Sequence, residues 1–133
     1  MAGIAKFEEI EAWKEARELT KQIYSITSRG AFSKDYGLRD QIQRAATSIM
    51  ANIAEGFDGG SNREFVKFLS YALRSATEVQ SHLYIALDQG YINQQNFKSL
   101  YDLTLKVKNL TSGFVRYLRS GVRTLNVERA QAT

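Results

Sequence analysis

Apolar residues recur every three or four positions in four stretches of the chain, and polar residues fill the positions between them. This spacing puts the apolar residues on one side of an α-helix, so it predicts four amphipathic helices. The first stretch has its apolar stripe at Ala12, Ala16, Leu19, Ile23 and Ile26. The predicted helices run from about residue 8 to 28, from 36 or 38 to 57, from 61 to 90 and from 93 to about 121.

Glycines and capping residues mark where these helices begin and end. Glycines follow the first three helices, at Gly30, within residues 58–60 and at Gly90. Glycine adopts the left-handed conformation that commonly ends a helix. Ser61 opens a capping box at the start of the third helix, and Asn93 is the expected N-cap of the fourth.

Four helices joined by short connections predict an all-α fold, an up-down-up-down antiparallel four-helix bundle. The bundle is expected to occupy residues 1–121, with residues 122–133 as a flexible tail. The absence of Pro agrees with this fold, and the absence of Cys excludes disulfides and Cys-ligated metals. The N-terminus lacks the apolar core of a signal peptide, and no run approaches the roughly 20 apolar residues that span a bilayer. We therefore expect a cytoplasmic protein that does not enter a membrane.

The second predicted helix has an outer side without charge. No charged residue occurs between Ala45 and Ala54, although a surface helix normally shows Lys and Glu to water. Other copies of the chain could cover this side, or it could be an Ala-rich face in solvent. The first interpretation predicts a homo-oligomer, and apolar residues on the outer flank of the third helix favour it. The expected interface residues are Thr47, Met50, Ala51, Ala54, Tyr71 and Ile85.

Beside that face, polar side chains form a ridge along the second helix. The ridge and its expected partner on the third helix are Gln41, Arg44, Ser48, Asn52, Glu55 and Glu78. A catalytic interpretation fails because Ser48 would need a neighbouring base, and the second helix holds no His. We interpret the set as a structural network of buried polar groups. Within it, Glu78 is predicted to pair with Arg44, and Arg74 is a second candidate partner.

The chain offers little for a metal, a cofactor or a catalytic site. A di-iron bundle needs several carboxylates and Glu-x-x-His on two helices, whereas this chain has a single histidine, His82. Glu78 and His82 are four residues apart, and His82 is expected to be a polar flank residue. The glycine pair at 59–60 has no phosphate-binding motif around it. We expect no cofactor and no enzymatic activity.

Basic residues are concentrated near the C-terminus. The net charge is +4, and residues 97–133 hold seven basic residues against two acidic ones. In the fourth helix the expected nucleic-acid-binding residues are Lys98, Lys108, Arg116 and Arg119. Such a stripe binds phosphates by releasing counterions from the nucleic acid. A ring of copies would carry one such stripe per copy and so form a strongly positive surface. The alternatives are an ordinary solvated face, or a structural adaptor whose partner is another protein.

The motif of the second and third helices resembles a known bacterial family, the 23S ribosomal RNA intervening-sequence proteins. The resemblance covers about residues 7–120, and its most specific part is QIQRAATSIMANIAEG at 41–56. The matching residues in these helices are Gln41, Arg44, Ala45, Ser48, Asn52, Ala54, Glu55, Gly56, Phe65, Leu69, Ala72, Ser75, Glu78 and Tyr91. Matches in the first helix are Phe7, Trp13, Ala16, Leu19 and Tyr24.

The resemblance implies an assembly more than an activity. The family looks like a homopentameric ring of bundles, similar to the accessory protein of diversity-generating retroelements, a basic pentamer that binds nucleic acid and a reverse transcriptase. It therefore implies self-association and structured RNA or DNA as a partner. The sequence departs from the pattern at Ser33, where Pro is usual, and at Arg74, where the family usually has Gly.

Overall fold

The computed structural model describes residues 3–120 of the chain. Within this range the chain forms four α-helices and no strands, which confirms the all-α prediction. The helices are α1 Glu11–Thr27, α2 Tyr36–Asp58, α3 Asn62–Asp88 and α4 Gln94–Arg119. The expected tail at 122–133 and the expected helix end at Gly121 lie outside the described residues.

The four helices pack in a cycle, each against two others. α1 contacts α2 and α4, and α3 contacts the same two helices. Two hydrogen bonds show that α1 and α2 run antiparallel: Gln43 Nε2 donates to Thr27 Oγ1 at 2.9 Å, and Thr20 Oγ1 donates to the Ala46 carbonyl at 3.3 Å. Later residues of α1 therefore lie beside earlier residues of α2.

The core lies along the apolar stripes of the helices. Ala12, Ala16, Leu19 and Ile23 are at most 2% exposed, as their spacing predicts. In α4 the core also contains threonines, including Thr104 and Thr111. Each hydroxyl donates to the carbonyl four residues earlier, at 2.7 Å. These bonds offset the cost of burying a hydroxyl, so threonine can occupy a core position.

Side-chain caps fix the starts of three helices. Ser61 Oγ accepts from the Glu64 amide at 3.1 Å, and Asn93 Oδ1 accepts from the Asn96 amide at 2.7 Å. Both caps were predicted from the sequence. Asp35 caps α2 in the same way, since its Oδ1 accepts from the Leu38 amide at 3.1 Å. This third cap was not anticipated.

The first helix begins later than its sequence pattern indicates. It was expected from about Glu8, but a 3₁₀ turn occupies Phe7–Glu9 and α1 starts at Glu11. Ile10 between them is extended, with φ −77° and ψ 121°, and only 1% exposed. The break turns Ile10 into the core. It also brings the Phe7 ring edge-on to Trp13, with 5.0 Å between ring centroids.

Two glycines shape the connection between α2 and α3. Gly60 has φ +91°, a conformation that favours glycine, and it provides the tight turn before α3. Gly56 lets the two helices approach closely. A Cβ atom at Gly56 would lie 2.8 Å from Phe68 Cβ and 2.9 Å from Phe65 Cδ1. The glycine at the end of the α2 motif is therefore required by packing.

A hydrogen bond joins the two connections at the opposite end of the bundle. A second 3₁₀ turn, Gly30–Lys34, precedes α2, and its Phe32 stacks on Tyr91 with ring centroids 5.2 Å apart. Tyr91 Oη donates to Asp35 Oδ2 at 2.9 Å. This bond, with burial and the carboxylate charge as smaller causes, raises the pKa of Tyr91 above its ordinary value. Asp35 thus holds both the start of α2 and the loop before α4.

None of the helices between residues 3 and 120 is both long and apolar enough to cross a membrane.

Candidate nucleic-acid interface

The candidate interface begins with the charges of α4. This helix carries five basic residues against one acidic residue, Asp102. The exposed Lys98 donates to Asp102 at 2.8 Å, so its charge is paired within the helix. The exposed Lys106 reaches Glu15 of α1 at 3.3 Å. Two of the five cations therefore have an acidic partner.

Lys108 lies in the groove between α3 and α4. Its Nζ donates to Gln80 Oε1 at 3.1 Å, and Gln80 is only 7% exposed. Lys108 itself is half-buried. This bond satisfies the carbonyl oxygen of a buried side-chain amide and fixes the ammonium group at the groove without placing a negative charge beside it. Lys108 can therefore still attract a phosphate.

Arg116 and Arg119 are exposed in the last turn of α4. Cations in this position also stabilise the negative end of the helix. The start of α3 lies at the same end of the bundle, because Phe65 and Phe114 pack with ring centroids 5.1 Å apart. Arg63, which is exposed two residues before Phe65, therefore lies at the same end of the bundle as these two arginines.

We call Arg63, Arg116 and Arg119 the arginine end. Within residues 3–120, none of the three forms an ion pair. The exposed acids on the other two helices and the first 3₁₀ turn at this end are Glu8, Glu9, Glu11, Glu55 and Asp58. On α3 itself, Glu64 follows Arg63, and its 40% exposed side chain lies 3.8 Å from Lys67 Nζ. The bundle end is thus basic on its α3–α4 side and acidic on its α1–α2 side.

The sequence prediction of this interface is therefore only partly reproduced in the geometry. Among residues 3–120, Arg116 and Arg119 lie together without an ion pair, whereas the exposed Lys98 is paired with Asp102 and Lys108 is bonded to Gln80. Arg63 was missed because it is distant in the sequence and shares this end of the bundle with Arg116 and Arg119 only when α3 and α4 pack. The signal that could have found it is its position at a helix start, which an antiparallel bundle puts beside the end of α4.

The polar ridge of α2 forms a smaller network than expected. Asn52 Nδ2 donates to the Ser48 carbonyl at 2.8 Å and to Ser48 Oγ at 3.0 Å. Ser75 Oγ of α3 donates to Ser48 Oγ at 2.9 Å. These three half-buried side chains link the two helices. Gln41, Arg44 and Glu55 are exposed in the chain and do not join them.

The predicted pairing of Glu78 with Arg44 or Arg74 is wrong. Glu78 Oε2 instead lies 3.2 Å from His82 Nε2, four residues along the same helix. The Glu78 side chain is 53% exposed and its partner is the mostly buried His82 imidazole, so removing Glu78 would not leave a buried guanidinium unpaired. The partner lies one helical turn away on the same helix, which is the spacing at which helical side chains meet.

The residues predicted as an oligomer interface remain open to solvent in the single chain. Thr47, Ala51, Tyr71 and Ile85 are exposed. Tyr71 keeps 37% and Ile85 keeps 43% of its surface, which is high for large apolar side chains. The other two residues of the set, Met50 and Ala54, are half-buried. The bundle therefore leaves this surface available to a partner.

No group of three metal-ligating side chains comes together within residues 3–120. His82 is mostly buried, with 12% of its side chain exposed, and its Nδ1 has no hydrogen-bond partner in the described part of the chain.

Comparison with known proteins identifies the family of the chain. A family model described as "23S rRNA-intervening sequence protein" matches residues 8–113, which cover all of α1, α2 and α3 and most of α4. The chain belongs to this family. The resemblance carried by the α2 motif is thereby confirmed. No curated protein matches the chain.

A solved structure supports the same fold. It is a protein with unknown function from the S23 ribosomal protein family of Bacteroides thetaiotaomicron, and it superposes with a TM-score of 0.71. The match covers 78% of this chain and 97% of that one, at 24% sequence identity. At that identity the likeness establishes the fold alone. The family's helices are therefore a common scaffold, and function has to be argued from the surface of this member.

Proposed function

We propose that the protein is a non-enzymatic, oligomeric nucleic-acid-binding protein of the cytoplasm. Its partner is RNA or DNA, held through the basic side of α4 and the arginine end. The observation that carries the proposal is that three exposed arginines at one end of the bundle, Arg63, Arg116 and Arg119, form no ion pair with any other residue in the range 3–120. Arginine binds phosphate with a planar fork of donors, so unpaired arginines are suited to a nucleic-acid backbone.

Self-association is the second part of the proposal. The small, uncharged residues of α2 and the exposed Tyr71 and Ile85 of α3 would be covered by neighbouring copies. A ring of bundles, for which the family resemblance implies five, repeats the arginine end once per copy. Repetition strengthens binding because one nucleic-acid chain can contact several copies at once.

The test is charge reversal at the arginine end. We expect the triple variant Arg63→Glu, Arg116→Glu, Arg119→Glu to bind RNA at least about tenfold more weakly at low salt, because three phosphate contacts become repulsive. The slope of log affinity against log salt should also become shallower, by about 0.7–0.9 for each lost contact. Fluorescence anisotropy with a labelled RNA measures both quantities.

The matched control reverses three lysines elsewhere, Lys14, Lys21 and Lys34, which are exposed on α1 and the second 3₁₀ turn. It changes the net charge by the same amount, so it separates a local surface from a general charge effect. The proposal predicts that this control stays within a few-fold of the original protein. Equal losses in both variants, or no loss in the arginine variant, would contradict it.

The alternative function is a structural adaptor for another protein. The exposed Tyr71 and Ile85 favour it, because an apolar flank binds protein as readily as a second copy of the chain. Salt distinguishes the two functions. Phosphate contacts weaken steeply with ionic strength, whereas contacts through an apolar surface do not.

A further inference from the structure

An aromatic cluster lies on the outer side of the α3–α4 pair. The Tyr84 ring packs on Phe97 with centroids 4.8 Å apart and on Tyr101 with centroids 5.9 Å apart. Phe97 and Tyr101 pack on each other at 5.5 Å. We call these three residues the aromatic platform. Since each ring contacts the other two, the platform is held in place from both helices.

The platform is open to solvent, mainly through Tyr84. This side chain is 50% exposed near the C-terminal end of α3, and Leu105 nearby on α4 is 41% exposed. Tyr36 is more exposed, at 64%, but the Arg39 guanidinium lies 4.8 Å from its ring centroid and covers one face. Within residues 3–120, the ring and cation contacts of Tyr84 are all aromatic. Part of an aromatic surface therefore remains free for a ligand.

Two cations lie close to the platform along α4. Lys98 directly follows Phe97, and Lys108 is seven residues after Tyr101, which is about 10 Å along a helix. The Gln80 that holds Lys108 at 3.1 Å is one helical turn before Tyr84. Lys98 is paired with Asp102, but both side chains are more than half exposed, so exchanging that partner for a phosphate costs little.

We propose that the aromatic platform stacks an unpaired base of single-stranded RNA, with Lys98 and Lys108 binding neighbouring phosphates. Stacking requires a base whose face is free, which a duplex does not offer, while loops and single strands do. The inference rests on the proposed function, since it names the kind of nucleic acid that the basic surface takes. It adds a surface that the arginine end does not include.

The test compares Tyr84→Ser with Tyr84→Phe in binding to a labelled oligouridine by fluorescence anisotropy. Loss of one stacked base corresponds to about 5- to 150-fold in affinity. We expect that loss for Tyr84→Ser, whereas Tyr84→Phe should stay within about twofold because phenylalanine still stacks. The salt slope should not change in either variant, since neither removes a phosphate contact.

An abasic RNA of the same length isolates the base. It retains the phosphates, so the original protein should bind it about as weakly as Tyr84→Ser binds oligouridine. The two proteins should bind the abasic strand equally. The stacking inference is wrong if Tyr84→Ser binds oligouridine as tightly as the original protein. It is also wrong if the substitution weakens binding to the abasic strand as much as it weakens binding to oligouridine.

Two further results separate the inference from the proposed function. If light scattering shows that Tyr84→Ser lowers the mass of the assembly, the platform is a contact between copies and the inference is overturned. If the original protein binds neither oligouridine nor a folded RNA, the proposed function fails, and the inference falls with it. Loss of binding in the arginine variant without any loss in Tyr84→Ser would retain the proposed function and reject the platform.

Discussion

Gly56 sets how closely α2 and α3 approach, and a single methyl group tests this. We expect Gly56→Ala to destabilise the fold by about 1–3 kcal/mol, because the new Cβ would lie 2.8 Å from Phe68 Cβ and the helices would have to separate. Chemical denaturation at one protein concentration measures the change.

Gly113 is the matched control, since it is also inside a helix. Its added Cβ would meet only Arg116 Nη2, at 3.7 Å, which is ordinary contact. Because alanine is the better helix former, Gly113→Ala should stabilise the protein by about 0.5–1 kcal/mol. Two glycine-to-alanine changes thus have opposite expected signs. A neutral or stabilising Gly56→Ala would show that the helices are not in close contact there.

Tyr91 gives the fold a dependence on alkaline pH. Its hydrogen bond to Asp35 raises the pKa in the folded state, so the folded protein holds this proton more tightly than the unfolded chain. The resulting stability is fully present below the unfolded pKa of about 10 and is lost as the pH rises through the folded pKa. Tyr91→Phe keeps the stacking on Phe32 but has no proton to lose.

The measurement is the free energy of unfolding of both proteins as a function of pH. We predict that the original protein is more stable than Tyr91→Phe below pH 10, and that the difference shrinks above it. A difference that stays constant across this range would mean that the hydrogen bond to Asp35 does not perturb the tyrosine.

At the scale of the elements, the helix starts depend on their caps. Ser61→Ala should cost about 1 kcal/mol, because it removes the acceptor for the Glu64 amide. Asp35→Ala should cost more, because the same carboxylate accepts from the Leu38 amide and from Tyr91. Denaturation curves of the two variants rank them directly. If Ser61→Ala proved the more damaging, Asp35 would not hold the two connections together.

The elements also show which features a sequence can predict. Ser61 and Asn93 were recognised as caps because a cap and its helix are adjacent in the chain. Asp35 was missed because it follows a 3₁₀ turn, Gly30–Lys34, that has no clear periodic pattern. The break at Ile10 was missed for a different reason. The acidic residues before it continue the helical pattern of α1, so nothing in the sequence marks the break.

Contacts between helices were predicted less well, since they depend on rotations that the sequence does not specify. Glu78 was assigned to Arg44 from the expected level of the two helices, yet its partner is His82 on its own helix. The expected alignment of α2 and α3 along the bundle axis was nearly right, because Ser48 and Ser75 are hydrogen-bonded to each other. Arg63 and the aromatic platform were missed because both are assembled from α3 and α4 together.

At the scale of the whole molecule, the two proposed surfaces share α3 but use different residues of it, Tyr71 and Ile85 in the first surface and Arg63 in the second. The uncharged face is on α2 and the outer flank of α3, while the basic surface is on α4 and the start of α3. Copies can therefore associate through the first without covering the arginines. The central claim is that neighbouring chains cover the side of α2 that lacks charge.

Sedimentation equilibrium at micromolar concentration, after removal of nucleic acid, tests that claim most directly. One chain weighs 15.1 kDa. The account predicts a particle several times heavier, near five times that mass, and predicts that Ala51→Glu reduces it towards one chain because a buried, unpaired carboxylate opposes association. A particle of 15.1 kDa in the original protein would contradict the account.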